Sequence, residues 1–332
     1  MSSLIGVDVG GTFTDFYALD EDRGVEFVHK TPSTPDNPAQ AILDGLDALA
    51  ADKGLPLAAI SRLSHGTTVG TNALIQRIGG SVAVITTEGF RDLLEIGRQI
   101  RPKMFDLMAD YPAPLAPRQR RFEIAERITA GGRVLKPVAD DDIAAAVEQV
   151  RESGADSCAV CLLFAFLNPE HEQRIGTALK AALPNLFVSL SSDVQPEFRE
   201  YERFSTTVLN TYLQPLLNNY MSHLERELKA RAPKALVGIN QSSGGLMSID
   251  RARRFPIRTA LSGPAAGAIG AIHSARLSDR PNVITLDMGG TSADVSLIRN
   301  HEAGLGFERD IAGFPIRLSM IDINTVGAGG GS

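Results

Sequence analysis

The chain has 332 residues, 43% hydrophobic and 22% charged, with a formal net charge of −6. That length can fill the cores of two domains, and the composition is that of an ordinary globular protein. The acidic balance, with no basic block, argues against a nucleic-acid partner or an anionic membrane surface. No apolar run reaches the roughly 20 residues of a spanning helix. The opening MSSLIGVDVGG lacks the basic segment and apolar core of a secretion signal. Two cysteines and no extracellular signature predict a reducing, cytoplasmic setting.

In chain order, residues 4–9 read as a buried strand and 13–19 as its hairpin partner, with Gly10 and Gly11 in the turn. A third strand is expected near 25–30. Asn37-Pro38 reads as a helix cap followed by proline at the first helical position, with the helix running to about Asp52. A strand at 61–65, a helix opening on Thr67-Thr68 and a strand at 81–87 follow. From Glu88 to Pro137 the prolines at 102, 112, 114 and 117 loosen the pattern, which ends in short strands near 121–126. Helix 139–153, strand 157–163, helix 168–182 and strand 186–190 then alternate, which is the grammar of a parallel or mixed sheet. A long helical pattern runs from about Glu197 to Ala230, with Pro215 expected to kink or split it. Strand 235–240, helix 264–277 and strands 282–287 and 292–298 complete the list. A soft boundary falls near 190–200. The chain closes on the glycine-rich stretch Thr325–Ser332 directly after a strand-like run. Such a turn normally introduces another element, so a second lobe is expected to be incomplete here.

Two segments, IGVDVGGTFTDFYAL (5–19) and ITLDMGGTSADVSLI (284–298), share one pattern. Each is an apolar strand ending in Asp, then Gly-Gly-Thr, then a second apolar strand. Glycines leave backbone N–H groups open to an incoming phosphate. Gly10, Gly11, Thr12, Thr14, Gly289, Gly290 and Thr291 are therefore candidate phosphate ligands. Asp8 and Asp287 are candidate catalytic residues and holders of Mg²⁺ through its waters. A single copy could be a plain glycine hairpin; two matched copies point to a clamp on a triphosphate. Neither the Walker nor the dinucleotide fingerprint is present. Leu261–Ala268 opens a small-sided helix just before the second turn, similar to the first connecting helix of actin-like ATPases. Chaperone-type members of that fold carry a catalytic Glu where this helix begins; this chain has Ser262-Gly263, which leans toward phosphoryl transfer to a bound substrate.

The segments GVDVGGTFTD (6–15), SHGTTVGTNALIQR (64–77), TTEGFRDLLEIGRQIRPKMFDL (86–107), LLFAFLNPEHE (162–172), DVQPEFREYERFSTTVLNTYLQP (193–215), LSGPAAGAIGA (261–271), LDMGGTSADVSLI (286–298) and TVGAGGGS (325–332) together resemble the N-terminal part of the hydantoinase A/5-oxoprolinase family. The resemblance spans essentially the whole chain. It implies an α/β, actin-like (ribonuclease H-like) ATPase fold with two lobes. Residues 1–195 would form the family's N-terminal region and first lobe, and 196–332 the start of the hydantoinase A domain. It implies ATP and Mg²⁺, and ATP-dependent activation of a cyclic amide carbonyl of hydantoin or 5-oxoproline type, leading to ring-opening hydrolysis. Ketone carboxylase subunits of acetone or acetophenone type are related. A B-type subunit or domain is the implied partner, and an oligomer the implied assembly. A small-molecule kinase and a non-catalytic nucleotide switch on the same fold remain alternatives. Family members often carry His in the stretch before TVGAGGGS, where this chain has Asn324, so a role for that His does not carry over. Gly327, Gly329 and Gly330 fall in that last motif as further cofactor-binding candidates.

Other candidates surround these motifs. Ser64–Thr68 lies at a strand end entering a helix, where amides favour an anion. His65 could donate to substrate or phosphate there, or be satisfied by strand-end backbone. Thr67, Thr68 and Asn72 are substrate candidates in the same region. Arg98 and Arg101 could bind an acidic substrate or simply be solvated. Arg199 and Arg203 fit a structural ion-pair network, and Asp15 and Asp294 fit as braces of the hairpins. Cys158 and Cys161 have CxxC spacing inside a buried strand pattern with no second pair for zinc, so they read as core, and no structural zinc is expected.

Overall fold

The structure is a computed structural model and describes residues 2–34, 37–100, 102–288 and 293–327. The chain divides into two compact units, one of Met1–Asn72, Leu217–Phe307 and Ser319–Ser332, the other of Ala73–Leu216 and Glu308–Leu318. The sequence boundary near 190–200 falls within the second unit.

The first unit is built on a six-stranded sheet. Ser3–Val9 alternates, burying Ile5, Val7 and Val9, and pairs antiparallel with Phe13–Asp20 so that Val9 faces Thr14. Val25–Pro32 continues that meander. On the other side Ser3–Val9 runs parallel to Ile60–Thr67, which runs parallel to Leu236–Asn240. Three parallel strands therefore end on the same edge. Helix Pro38–Lys53 covers the sheet with Ala39, Ile42, Leu43, Leu46 and Leu49. Asn37 stands at its N-cap with proline next, as the sequence predicts, but the Asn37 side chain makes no capping hydrogen bond. Gly54, at φ 63°, closes the helix in the left-handed region, where glycine carries no steric penalty. Gly45 is fixed by packing: a Cβ there would lie 2.2 Å from the Phe16 ring. A second hairpin, Val283–Met288 with Ala293–Arg299, repeats the first with Asp287 opposite Asp294, as Asp8 stands opposite Asp15.

The second unit carries a parallel four-stranded sheet in the order 187–190, 157–161, 82–87, 121–124. Helices Asp140–Glu152 and Glu170–Ala182 pack on it through Ile143, Val147, Ile175 and Leu179. Cys158 and Cys161 are free and buried in the central strand. Burial pushes the Cys158 thiol up to about 12, the state of a core residue. Among the described residues no group of three His, Cys, Asp or Glu could hold a metal.

The sequence expects Pro215 to kink or split the long helix. The structure does not split it there: Glu200–Arg231 is one helix with Pro215 inside it. Proline removes a helical donor and clashes with the preceding turn. Here the Gly80 N–H donates to the Tyr212 carbonyl at 2.8 Å, satisfying a carbonyl of that turn from outside. Gly80 also leaves room: a Cβ on it would lie 2.8 Å from Pro215 Cγ. Among the described residues no helix is long and apolar enough to cross a membrane.

Candidate functional site

The carboxyl ends of the parallel strands hold Asp8, Gly66 and Asn240. Asp8 pairs in register with Gly66, and His65 with Ile239, one residue before Asn240. In open α/β sheets this edge is where ligands bind. A Cβ on Gly66 would stand 3.0 Å from Asp8 Oδ1 and 3.3 Å from Asn240 Nδ2. The absent side chain is thus the space onto which both groups converge. Gly263, at the start of helix Ser262–Leu277, also faces the carboxylate: a Cβ there would lie 3.5 Å from Asp8 Oδ1.

Asp8 is exposed to solvent, although protein atoms crowd around its carboxyl. Desolvation by those neighbours raises its carboxyl above the usual range, and the charges of Asp15 and Asp287 push the same way. Asp287 is therefore within electrostatic reach of Asp8, although the two lie far apart in sequence. Asp15 is braced by Lys30 at 2.9 Å, and Asp294 accepts from Thr325 Oγ1 at 2.6 Å. Beside Asp287 a cavity of about 610 Å³ opens between the connecting helix and the second hairpin, lined by Gly267, Ala271, Ser274, Leu286 and Asp294 among others. That volume is in the range of small-molecule sites. The helix buries Ala265, Ala268, Ile272 and Ala275, and its remaining small residues leave the space.

The turn of the first hairpin is only partly open. Gly10 N–H is used internally, donating to the Phe13 carbonyl at 3.0 Å, and Ser33 Oγ donates to the Gly10 carbonyl at 2.8 Å. Gly11 and Thr12 are exposed, and among the described residues their N–H groups have no partner. Thr14 points the other way. It is fully buried, with its hydroxyl 3.0 Å from Ser33 Oγ, so the structure does not bring it to the phosphate turn. Gly289, Gly290, Thr291, Gly329, Gly330 and Arg101 lie outside the described residues. Gly327 is exposed just beyond strand Ile323–Val326.

His65 is fully buried. Its Nε2 meets the Tyr220 hydroxyl at 2.6 Å. Burial pushes the imidazole down to about 4, against a small opposing pull from the Val7 backbone. The ring is therefore neutral and spent on the long helix, not free to donate to a substrate. Thr67 is buried too, its hydroxyl accepting from Val69 N–H at 3.2 Å and hydrogen bonded to Tyr220. Its backbone is tied to Ser262, whose Oγ donates to the Thr67 carbonyl at 3.2 Å. Thr68 donates to the Val9 carbonyl at 3.0 Å and accepts from Asn72 at 3.3 Å. These two remain partly accessible beside the first turn. The helix there begins at Val69, two residues later than expected, because Thr67 still belongs to the strand.

Arg98, in the second unit, is committed to Glu202, with Nε 2.8 Å from Oε1 and a second close contact to Oε2. Arg203 is buried and bonded to the Leu162 carbonyl at 2.7 Å, the Glu197 carbonyl at 3.0 Å and Ser191 Oγ at 3.2 Å. Arg199 pairs with Glu308. Asn240 is the site residue that sequence reading missed. Its signal was its place as the last residue of the apolar run Leu236–Asn240.

Residues 4–183 match the hydantoinase/oxoprolinase N-terminal region and residues 203–332 match the hydantoinase/oxoprolinase family. The chain belongs to that family. Its sequence is 37% identical to the caprolactamase subunit alpha of Pseudomonas jessenii, covering 99% of this chain and 48% of the relative. The crystal structure of the ATP-dependent caprolactamase from that organism superposes with a TM-score of 0.88 at 35% identity, covering 99% of this chain and 48% of the other. The nucleotide-free structure of an ATP-dependent acetone carboxylase gives a TM-score of 0.87 at 27% identity, over 98% of this chain and 48% of the other. The 5-oxoprolinase of Saccharomyces cerevisiae is 32% identical over 99% of this chain and 28% of its own length. The fold is the mixed α/β, actin-like ATPase fold of these proteins. The chain spans about half the length of the caprolactamase and acetone carboxylase chains, and less of the oxoprolinase.

Proposed function

We propose that this chain is the A-type part of an ATP-dependent enzyme that phosphorylates the carbonyl oxygen of a cyclic amide and so prepares the ring for hydrolysis. The observation that carries this reading is the strand-edge constellation of Asp8, Gly66 and Asn240, with Asp287 in electrostatic reach of Asp8. A lactam carbonyl is a poor electrophile because nitrogen donates into it. Its oxygen, however, already offers a lone pair and has no proton to remove, so its phosphorylation needs no general base. That fits a strand edge carrying Gly66 and Asn240, with the neighbouring His65 locked away. Gly11 and Thr12 N–H groups would take phosphate oxygens. The work left to the protein is positioning and charge neutralisation.

Asp8 and Asp287 would hold Mg²⁺ through its waters. The fit lies in the donor set: carboxylate oxygens suit a hard cation, and Asp8 carries burial and two like charges that a cation would relieve. When bound, the metal would neutralise charge on the phosphates.

The B-type partner belongs to this proposal, supported by relatives named as subunits, such as caprolactamase subunit alpha. The likeness to an acetone carboxylase supports a second reading, a ketone as acceptor. Phosphate release by the full-length protein with its partner subunit, assayed with hydantoin, 5-oxoproline, a simple lactam or acetone, separates the two. Stimulation by a sugar or alcohol alone would overturn both.

A further inference from the structure

We infer that Asn240 is the residue that recognises a cyclic amide as an amide, by pairing its carboxamide edge to edge with the ring's N–H and C=O; this rests on the reading above. A ring of five to seven members holds its amide with N–H and C=O on one side. An Asn carboxamide offers the complementary pair, Nδ2–H to donate and Oδ1 to accept. Asn240 ends its strand half-buried. Its amide makes no hydrogen bond among the described residues, and its Nδ2 is directed to the point beside Gly66 that Asp8 also faces. The amide still reaches solvent at the strand edge, so it can exchange water for a ligand that matches both its donor and its acceptor. Gly66 keeps side-chain atoms from coming between the two groups, since a Cβ there would already stand 3.0 Å from Asp8 Oδ1 and 3.3 Å from Asn240 Nδ2.

The pairing also suits the chemistry. Asn240 Nδ2–H takes the carbonyl lone pair on the nitrogen side, leaving the other lone pair for the γ-phosphorus. A carbonyl-oxygen-to-phosphorus bond forms, the bond from the γ-phosphorus to its bridging oxygen breaks, and that electron pair leaves with ADP. The ring nitrogen keeps its proton and becomes positively charged, so its hydrogen bond to Asn240 Oδ1 strengthens as transfer proceeds. A ketone can use only half of this pair.

The test uses the full-length protein with its partner subunit, δ-valerolactam and its N-methyl derivative as probes, and wild type, Asn240→Ala and Asn240→Asp as enzymes. Wild type should favour the N–H lactam in kcat/KM for phosphate release by about tenfold or more. Asn240→Ala should lose most of that preference. Asn240→Asp, close to isosteric, guards against a folding defect and should also lose activity toward the N–H lactam, because it cannot donate to the carbonyl. Equal use of both lactams by wild type, or an unchanged preference in the variants, overturns the role of Asn240 while leaving lactam activation intact. No stimulation of wild type by either lactam overturns this inference, and if hydantoin and 5-oxoproline also fail, the functional reading falls with it.

Discussion

Tyr220 and His65, 155 positions apart, meet at 2.6 Å between hydroxyl and Nε2 in a fully buried contact. It ties the last strand residues before the Thr67–Thr68 corner to the long helix. The Tyr220 hydroxyl is pushed well above its ordinary value by burial, so it stays protonated and serves as donor. Replacing it with Phe leaves the His65 nitrogen buried without its partner. Tyr220→Phe should lower the unfolding free energy by about 1–3 kcal/mol, measured by urea titration. No change in the midpoint would mean the contact contributes nothing.

The same histidine sets a pH dependence. Unfolded, its imidazole takes a proton near 6.5; folded, it resists until about 4. Its contribution is intact above 6.5 and is lost as pH falls toward 4, because the unfolded state then binds the extra proton. The loss is about 3 kcal/mol when complete. An NMR titration should find the His65 ring neutral at pH 5.5, and a midpoint near 6.5 would contradict the burial argument.

Asp8 carries the opposite sign. Its folded carboxyl is raised by burial, Asp15 and Asp287, so the unfolded state releases its proton first and the charge costs stability at neutral pH. Asp8→Asn should abolish ATP turnover in the full-length enzyme yet raise the melting temperature. Asp287→Asn should likewise abolish turnover while the fold survives. Normal turnover in either variant would remove that residue from the proposed metal site.

Gly66 and Gly263 both face Asp8 but at different clearances. A methyl group at 3.0 Å from Asp8 Oδ1 must displace it, whereas one at 3.5 Å makes ordinary contact. Gly66→Ala should cut turnover at least tenfold, about 1.4 kcal/mol in the barrier. Gly263→Ala should leave turnover within a few-fold. Equal effects would mean the space beside Gly66 is not where the substrate sits.

Cys158 and Cys161 are buried thiols held in the protonated form by desolvation. Neither should react with a thiol reagent in the native protein, and both should react once it is unfolded. Fast native labelling would place them at the surface.

The hairpins were legible because their chemistry is local. An Asp, two glycines and a threonine between apolar strands state the turn, and the paired strands form as read. The repeat also singled out Asp8 and Asp287 together, and the charge of Asp287 reaches Asp8. Thr14 was misread although the pattern contained the answer: in Phe13–Asp20, Thr14 shares the buried parity with Phe16 and Ala18. His65 was left between two readings, because a strand end looks the same whether its ring faces solvent or a helix 155 residues away. Asn240 was invisible for a related reason. Its meaning comes from strand order, which places the 236–240 strand beside the 60–67 strand, and nothing local to Asn240 encodes that neighbour. That the helix continues through Pro215 was not legible locally: the Gly80 N–H that meets the Tyr212 carbonyl of the preceding turn comes from far back in the chain.

Because Asp8 and Asn240 arrive on separate strands, with Gly66 on the strand between them, the two demands on such a site are physically uncoupled. In the proposed function the strand carrying Asp8 would also carry the phosphate turn, and would tolerate little change. The strand ending in Asn240 can exchange its last side chain without moving that turn. A lineage could therefore change which molecule it activates by single substitutions at one strand tip while its energy-coupling apparatus stays fixed, and a laboratory library confined to positions 240 and 66 would sample that same route.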